Sequence, residues 1–321
     1  VISIQSAGES WLASVSLARS KKTHLTYSTA FTYFMKSLIR HGINPADKVK
    51  DISAKSVIQL SDDLKVLAPT TEKLYLGAVR GFYKFLLSEE WAPINMAKID
   101  AVITQRSRRP GVRVPLFAAP EIKLVLTRLD AMPISRDPEI KLRDLRDKAL
   151  IITLAHTGLR IHEACNLTRG GLDMNEGQAL VIGKGNKQSI VRFTGKSLKS
   201  IKAYLTARAP LDGGTGKPLS VLPIFARHDA GAGRKIKPIT TQTGREIVKA
   251  TISKLLSADE MKRITPHSFR HYFVTEILRV THNLKLAQSL ARHENIEMTQ
   301  RYAHLSDDEL DKGFHDVFET K

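Results

Sequence analysis

Six residues in the second half of the chain are of types that displacement at a phosphodiester could use. They are Arg160, Lys184 24 positions on, His267 and Arg270 three apart, His293 23 beyond that arginine, and Tyr302 nine further. They fall in four patches: TGLRIHEACNL from Thr157, VIGKGNKQSIVRF from Val181, TPHSFRHYFVTEIL from Thr265 and LARHENIEMTQRYAHL from Leu290. Such a reaction needs a nucleophile, stabilisation of charge on two non-bridging oxygens, and a proton for the departing sugar oxygen. Arginine suits the second task, because its planar fork donates to two phosphate oxygens and stays charged at every relevant pH. The 32 acidic residues are scattered, with no cluster at metal-ligand spacing, so neither a metal nor a cofactor is expected. The single cysteine excludes an internal disulfide and a cysteine-based zinc site.

A basic excess accompanies this set. The chain has 321 residues, 50 Lys and Arg against 32 Asp and Glu, and a net charge of +18. Divided at Pro110, the two parts carry +7 (16 basic, 9 acidic) and +11 (34 basic, 23 acidic). Charge of one sign in both parts fits a polyanion gripped from two sides better than one membrane-binding patch. The longest apolar run, Ala149 to Ala155, is far too short to cross a bilayer, and no signal peptide is expected at the start.

Around these residues the elements read mainly as helices. Apolar positions recur at helical spacing near Trp11 to Leu17, from Thr23 to Ile39, from Ser53 to Leu67, and after Pro69 through Leu86. These make an expected four-helix domain over residues 1–105, with Tyr27, Tyr33, Tyr75 and Tyr83 in its core. Residues 106–115 form an expected basic linker whose Arg106, Arg108, Arg109 and Arg113 would meet phosphates. A second domain follows over residues 116–321. Helices are expected there at 121–129, 142–154, 197–205, 241–256, 267–278, 284–291, 298–304 and 307–318. Residues 179–182 and 189–193 read as a hairpin, and the Gly- and Pro-rich stretch 209–223 as loop.

The four patches, in this order and spacing, resemble the tyrosine recombinase (phage integrase) family, including its Xer-like members. The resemblance is strong from about Ala118 to the end and weaker over the helical first half, which looks like the family's core DNA-binding domain. It implies a mainly α fold with a small antiparallel sheet, arranged as a C-shaped two-domain clamp on duplex DNA. It also implies roles. Arg160 and Arg270 match the phosphate-clamping arginines, and His267 and His293 the remaining donors. Lys184 matches the hairpin lysine that protonates the leaving 5′ oxygen, with Lys187 a close competitor. Tyr302 is the nucleophile that forms a 3′-phosphotyrosyl link, and Glu163, one helical turn after Arg160, supports the site. Where the family commonly has Leu-Gly before the last histidine this chain has Ala291 and Arg292, and Arg292 is expected to add a phosphate contact.

The implied activity is metal- and ATP-independent site-specific recombination through a Holliday junction. The implied assembly is a homotetramer on two paired double-stranded DNA sites, working alone or with a second recombinase. The implied location is cytoplasmic and nucleoid-associated, with no membrane partner. A type IB topoisomerase is the nearest enzymatic alternative, and a DNA-binding protein without catalysis the alternative from another class.

Overall fold

The computed structural model describes residues 2–108, 119–183, 187–229, 231, 235–261 and 264–300. The chain divides into two compact units, Val1–Arg113 and Val114–Lys321, each with its own hydrophobic core.

Among the described residues, five α-helices build the first unit: α1 (Ile4–Ala18), α2 (Lys21–Arg40), α3 (Ala54–Asp63), α4 (Pro69–Ser88) and α5 (Met96–Arg106). Their starts follow local chemistry. Ser3, Ser20, Ser53 and Asn95 each accept a backbone N–H of the first turn, and Pro69 opens α4 where no amide donor is needed. Trp11, Phe31, Phe34, Phe82 and Tyr83 interlock in the centre, Phe31 and Phe82 meeting edge to face at 4.9 Å. Gly8 makes this possible, since a Cβ there would lie 2.0 Å from Phe31 Cζ. Tyr83 is buried and donates to Ser53 O at 3.0 Å, while Tyr27, stacked on Trp11, and Tyr33 and Tyr75 are half-buried and pack against the core's edge.

Helix α5 corrects the expectation of four helices and a linker starting at residue 106. Arg106 is its last residue and pairs with Asp62 at 3.1 Å. Two residues on, Arg108 Nε donates to Glu72 at 2.6 Å and its amide to the same carboxylate at 3.1 Å. Lys65 completes the cluster around this wholly buried glutamate at 2.7 Å. Both arginines are thus engaged by carboxylates of their own unit. Arg109 and Arg113 lie outside the described residues.

The second unit is mainly helical with one three-stranded antiparallel sheet in the order β1-β2-β3, formed by Leu172–Asp173, Gln178–Ile182 and Gln188–Arg192. The expected hairpin is present, paired in the register Leu180↔Ile190, and a third short strand joins it. Ala179, Val181 and Val191 face the core while Leu180, Ile182 and Ile190 are exposed, the alternation a one-sided sheet requires.

Helix α6 (Ala119–Ala131) precedes α7 (Pro138–Thr157), whose buried run Ala149–Ala155 forms the spine of the unit. The short α8 (Ile161–Cys165) follows a turn at Gly158, and α9 (Gly195–Gly213) packs along α7. Then come α10 (Thr241–Leu255), α11 (Ala258–Met261), α12 (Pro266–Thr281), α13 (Leu284–Ala291) and α14 (Glu297–Gln300). The loop expectation over 209–223 is corrected. Helix α9 continues through Pro210 to Gly213, held by the i,i+4 pair of wholly buried Arg208 with Asp212 at 2.8 Å. The expected helix at 307–318 lies outside the described residues.

Candidate active site

Three segments of the second unit meet at the turn between α7 and α8. Helix α7 ends at Gly158, whose φ of +60° is left-handed and whose absent Cβ leaves room for Phe273. A Cβ there would stand 2.4 Å from that ring. The turn delivers Arg160 to the N-terminus of α8, where Glu163 reaches back to accept the Arg160 amide at 2.8 Å. The other oxygen of Glu163 accepts Arg160 Nη1 at 2.9 Å, so one buried carboxylate fixes both backbone and side chain of a partly exposed arginine.

Arg270 approaches the same turn from α12. It is 1% exposed and donates to Gly158 O at 2.7 Å and to Ala291 O, tying the turn to the end of α13. His267 stands on the first turn of α12, one turn before Arg270, with its ring edge-on to His271 at 4.4 Å. His293 follows α13 and is buried. Its Nδ1 lies 2.8 Å from Thr299 Oγ1, and its carbonyl accepts Gln288 Nε2 at 3.2 Å.

The electrostatics of this cluster are cationic. Burial, then the charges of Arg270 and Arg160, push His293 down to about 4; enclosure and the same two arginines lower His267. His271 is also pushed down to about 4, by burial, His267 and Arg270. These imidazoles are therefore neutral at pH 7, able to donate from one nitrogen and accept at the other. Burial alone would raise Glu163, but the Arg160 amide, the Arg292 charge and the Arg160 guanidinium together hold it below the usual carboxylate range.

Arg292 does not take the outward position expected of a phosphate contact. Its side chain is 9% exposed, and its Nη2 donates to Glu163 Oε2 at 3.1 Å. Lys187 does face outward, 74% exposed, with Glu294 3.8 Å away. Lys184 and Tyr302 lie outside the described residues; beside the hairpin, Gly183 N donates to Lys187 O at 2.8 Å.

Two clefts open on Arg160. One is lined by Arg160, His162, Arg245, Lys249, Thr265 and His267 over an apolar floor, and the other by Arg160, His162, Val181, Lys187 and Arg292 beside the hairpin. Sequence reasoning missed His162, Arg245 and Lys249. The signal for the last two was a basic i,i+4 pair on the polar face of α10, and for His162 its place between Arg160 and Glu163. Among the described residues, no three His, Cys, Asp or Glu side chains converge to hold a metal ion, and no helix is long and apolar enough to cross a membrane.

The chain is similar to known proteins. A sequence model of the phage integrase family matches residues 126–309. The chain is 32% identical over 243 residues to tyrosine recombinase XerD of Chlorobaculum tepidum, covering 75% of this chain and 73% of that protein. It is 26% identical over 311 residues to tyrosine recombinase XerC of Treponema denticola, covering 90% and 95%. Among solved structures it resembles a XerH site-specific recombinase bound to a palindromic difH substrate, with a TM-score of 0.67 at 20% identity over 92% of this chain and 80% of that one. It also resembles the Tn1549 transposon integrase in complex with transposon right end DNA, with a TM-score of 0.66 at 17% identity over 99% and 100%.

Proposed function

The chain belongs to the phage integrase family of tyrosine recombinases, which cleave and rejoin DNA in site-specific recombination, and from that premise we propose the roles of its residues and the course of its reaction. One observation carries the reading: Arg160, Arg270, His267 and His293, from three separate segments, surround one turn with a net positive field and cleft access.

The phenolic oxygen of Tyr302 attacks the scissile phosphorus. A tyrosine has an ordinary pKa near 10, so the attack needs cations close by to favour the phenolate. Arg160, which opens on the clefts, supplies one and holds a non-bridging oxygen as charge builds, and the buried Arg270 adds its charge from beneath the turn. A neutral imidazole of the His267 and His293 pair accepts the phenolic proton. As the P–O5′ bond breaks, Lys184 protonates the departing oxygen, leaving a 3′-phosphotyrosyl link and a free 5′ hydroxyl. The link conserves the bond, so attack by a 5′ hydroxyl from another duplex reverses the step and joins new partners without an external energy source.

Lys187, Arg109 and Arg113 contribute phosphate contacts, and the helical first unit binds the DNA core site. Two sites pair in a homotetramer and exchange strands through a Holliday junction, which serves integration, excision or resolution of a mobile element or replicon.

The test is covalent trapping. The protein is incubated, with chelator present, with a pool of nicked duplexes, in which the released fragment diffuses away and religation fails. Denaturant-resistant complexes at a defined sequence are expected for the native chain and none for Tyr302→Phe. Complexes at all sequences would replace this reading with a topoisomerase, and tight sequence-specific binding without any complex would replace it with a non-catalytic DNA-binding protein.

A further inference from the structure

We propose that Arg292 is a positioning residue, which acts through Glu163 to set the guanidinium of Arg160, and that it makes no phosphate contact of its own. The inference rests on the reading of Arg160 as a phosphate clamp.

The backbone gives the first reason. Arg292 caps α13 with φ +57° and ψ +45°, a left-handed conformation that glycine adopts freely and other residues adopt at a cost. Its amide satisfies the last carbonyls of α13, those of Gln288 and Ser289, which glycine would do equally well. A large side chain at such a position needs a compensating use.

The guanidinium supplies it. Nη2 donates to Glu163 Oε2 at 3.1 Å and lies 3.5 Å from Gly158 O, the carbonyl that Arg270 holds at 2.7 Å. Nη1 lies 3.4 Å from Leu290 O. The side chain therefore joins the segment that carries His293 to the turn that carries Arg160.

Charge accounting gives the second reason. The Glu163 carboxylate is 1% exposed, and Arg160 Nη1 binds one of its oxygens while the Arg160 amide and Arg292 bind the other. With Arg292 present the carboxylate is balanced from inside, and the partly exposed Arg160 guanidinium keeps charge and donors for the cleft. Without Arg292, Glu163 would draw Arg160 inward and cancel most of its charge.

Single-turnover cleavage and equilibrium binding, on nicked duplexes carrying the sequence recovered by trapping, test this. Arg292→Gly should fold, because the cap tolerates glycine. Its cleavage rate at saturating DNA should fall roughly 10- to 100-fold, the scale of a misplaced catalytic group, with little change in affinity. Adding Glu163→Gln, which removes the uncompensated charge but keeps an acceptor for Arg160, should recover most of that loss, and Arg292→Lys should retain most of the rate. If Arg292→Gly is unfolded, Arg292→Asn, which also tolerates the left-handed conformation, takes its place.

A weakened affinity with a salt slope smaller by about one and an unchanged saturating rate would make Arg292 a phosphate contact and overturn the proposal. Additive losses in the double variant would overturn it too. Arg160→Ala separates the two levels. A normal rate in that variant removes the clamp reading and this inference with it, whereas a collapsed rate beside a normal Arg292→Gly removes the inference alone.

Discussion

At Gly158 a single conformational requirement supports the entire site. Its left-handed φ aims the chain at Arg160, its missing Cβ admits Phe273, and its carbonyl receives Arg270. Gly158→Ala should lower stability by about 2–3 kcal/mol, from left-handed strain plus the clash, and should slow cleavage beyond what the lost stability explains. Urea denaturation and single-turnover cleavage measure the two effects. Much at this scale was legible in the sequence, because Arg160, His267, Arg270 and His293 are chemically distinctive and stand at fixed offsets. The inward turn of Arg292 was not legible. Whether an arginine faces phosphate or a buried carboxylate depends on Glu163, 129 residues away, being the nearer acceptor.

Two polar clusters tie chain segments to the helices beside them. In the first unit, Glu72 is buried under Lys65 and Arg108 and pins the end of α5 and the two residues after it. Glu72→Gln should release that stretch, and limited trypsin digestion is expected to cut after Arg106 and Arg108 faster than in the native chain. In the second unit, Arg208 donates to Asp212, Tyr204 and the carbonyls of Pro223 and Ile224, clamping residues 223–226 onto α9. Arg208→Ala strands a buried carboxylate that keeps only Arg169, and should cost about 3–5 kcal/mol by urea denaturation. Helix α9 also marks a limit of pattern reading. Pro210 and the glycines after it spell a break, yet the helix runs on to Gly213, with the buried Arg208–Asp212 pair spanning the proline. Helix α5 was hidden for another reason, since its amphipathic stripe is weak and only Ile99 is buried along it.

For the molecule as a whole, charge sets two behaviours. Tyr204 Oη accepts from Arg208 and from the Ala226 amide, so its own hydrogen goes to His228 Nε2 at 2.7 Å, which requires that nitrogen to be unprotonated. Burial and the charges of Arg146, Arg208 and Arg143 push His228 down to about 4, alongside His271 and His293. The folded-state values lie below the ordinary 6.5, so the unfolded chain binds more protons between pH 6.5 and 4. Stability is therefore full above pH 6.5 and should fall steadily as the pH drops through that window, as thermal unfolding at a series of pH values would record. The net charge of +18 makes DNA affinity salt-dependent. With 6–10 phosphate contacts, binding should weaken by about 10³- to 10⁵-fold between 50 and 200 mM salt. Composition alone left nucleic acid, an anionic membrane and acidic proteins open, and it was the basic excess in both parts of the chain that favoured a gripped polyanion.

We propose that the cationic cluster at the Gly158 turn activates Tyr302 against a DNA phosphodiester. Proteolysis of the trapped adduct followed by mass spectrometry tests it most directly, with the chemistry of the cleaved strand read in parallel. The expected result is one modified peptide, with the nucleotide on Tyr302 through a 3′ phosphate and a free 5′ hydroxyl on the released fragment. An adduct on any other residue, or one joined through a 5′ phosphate, would contradict the account.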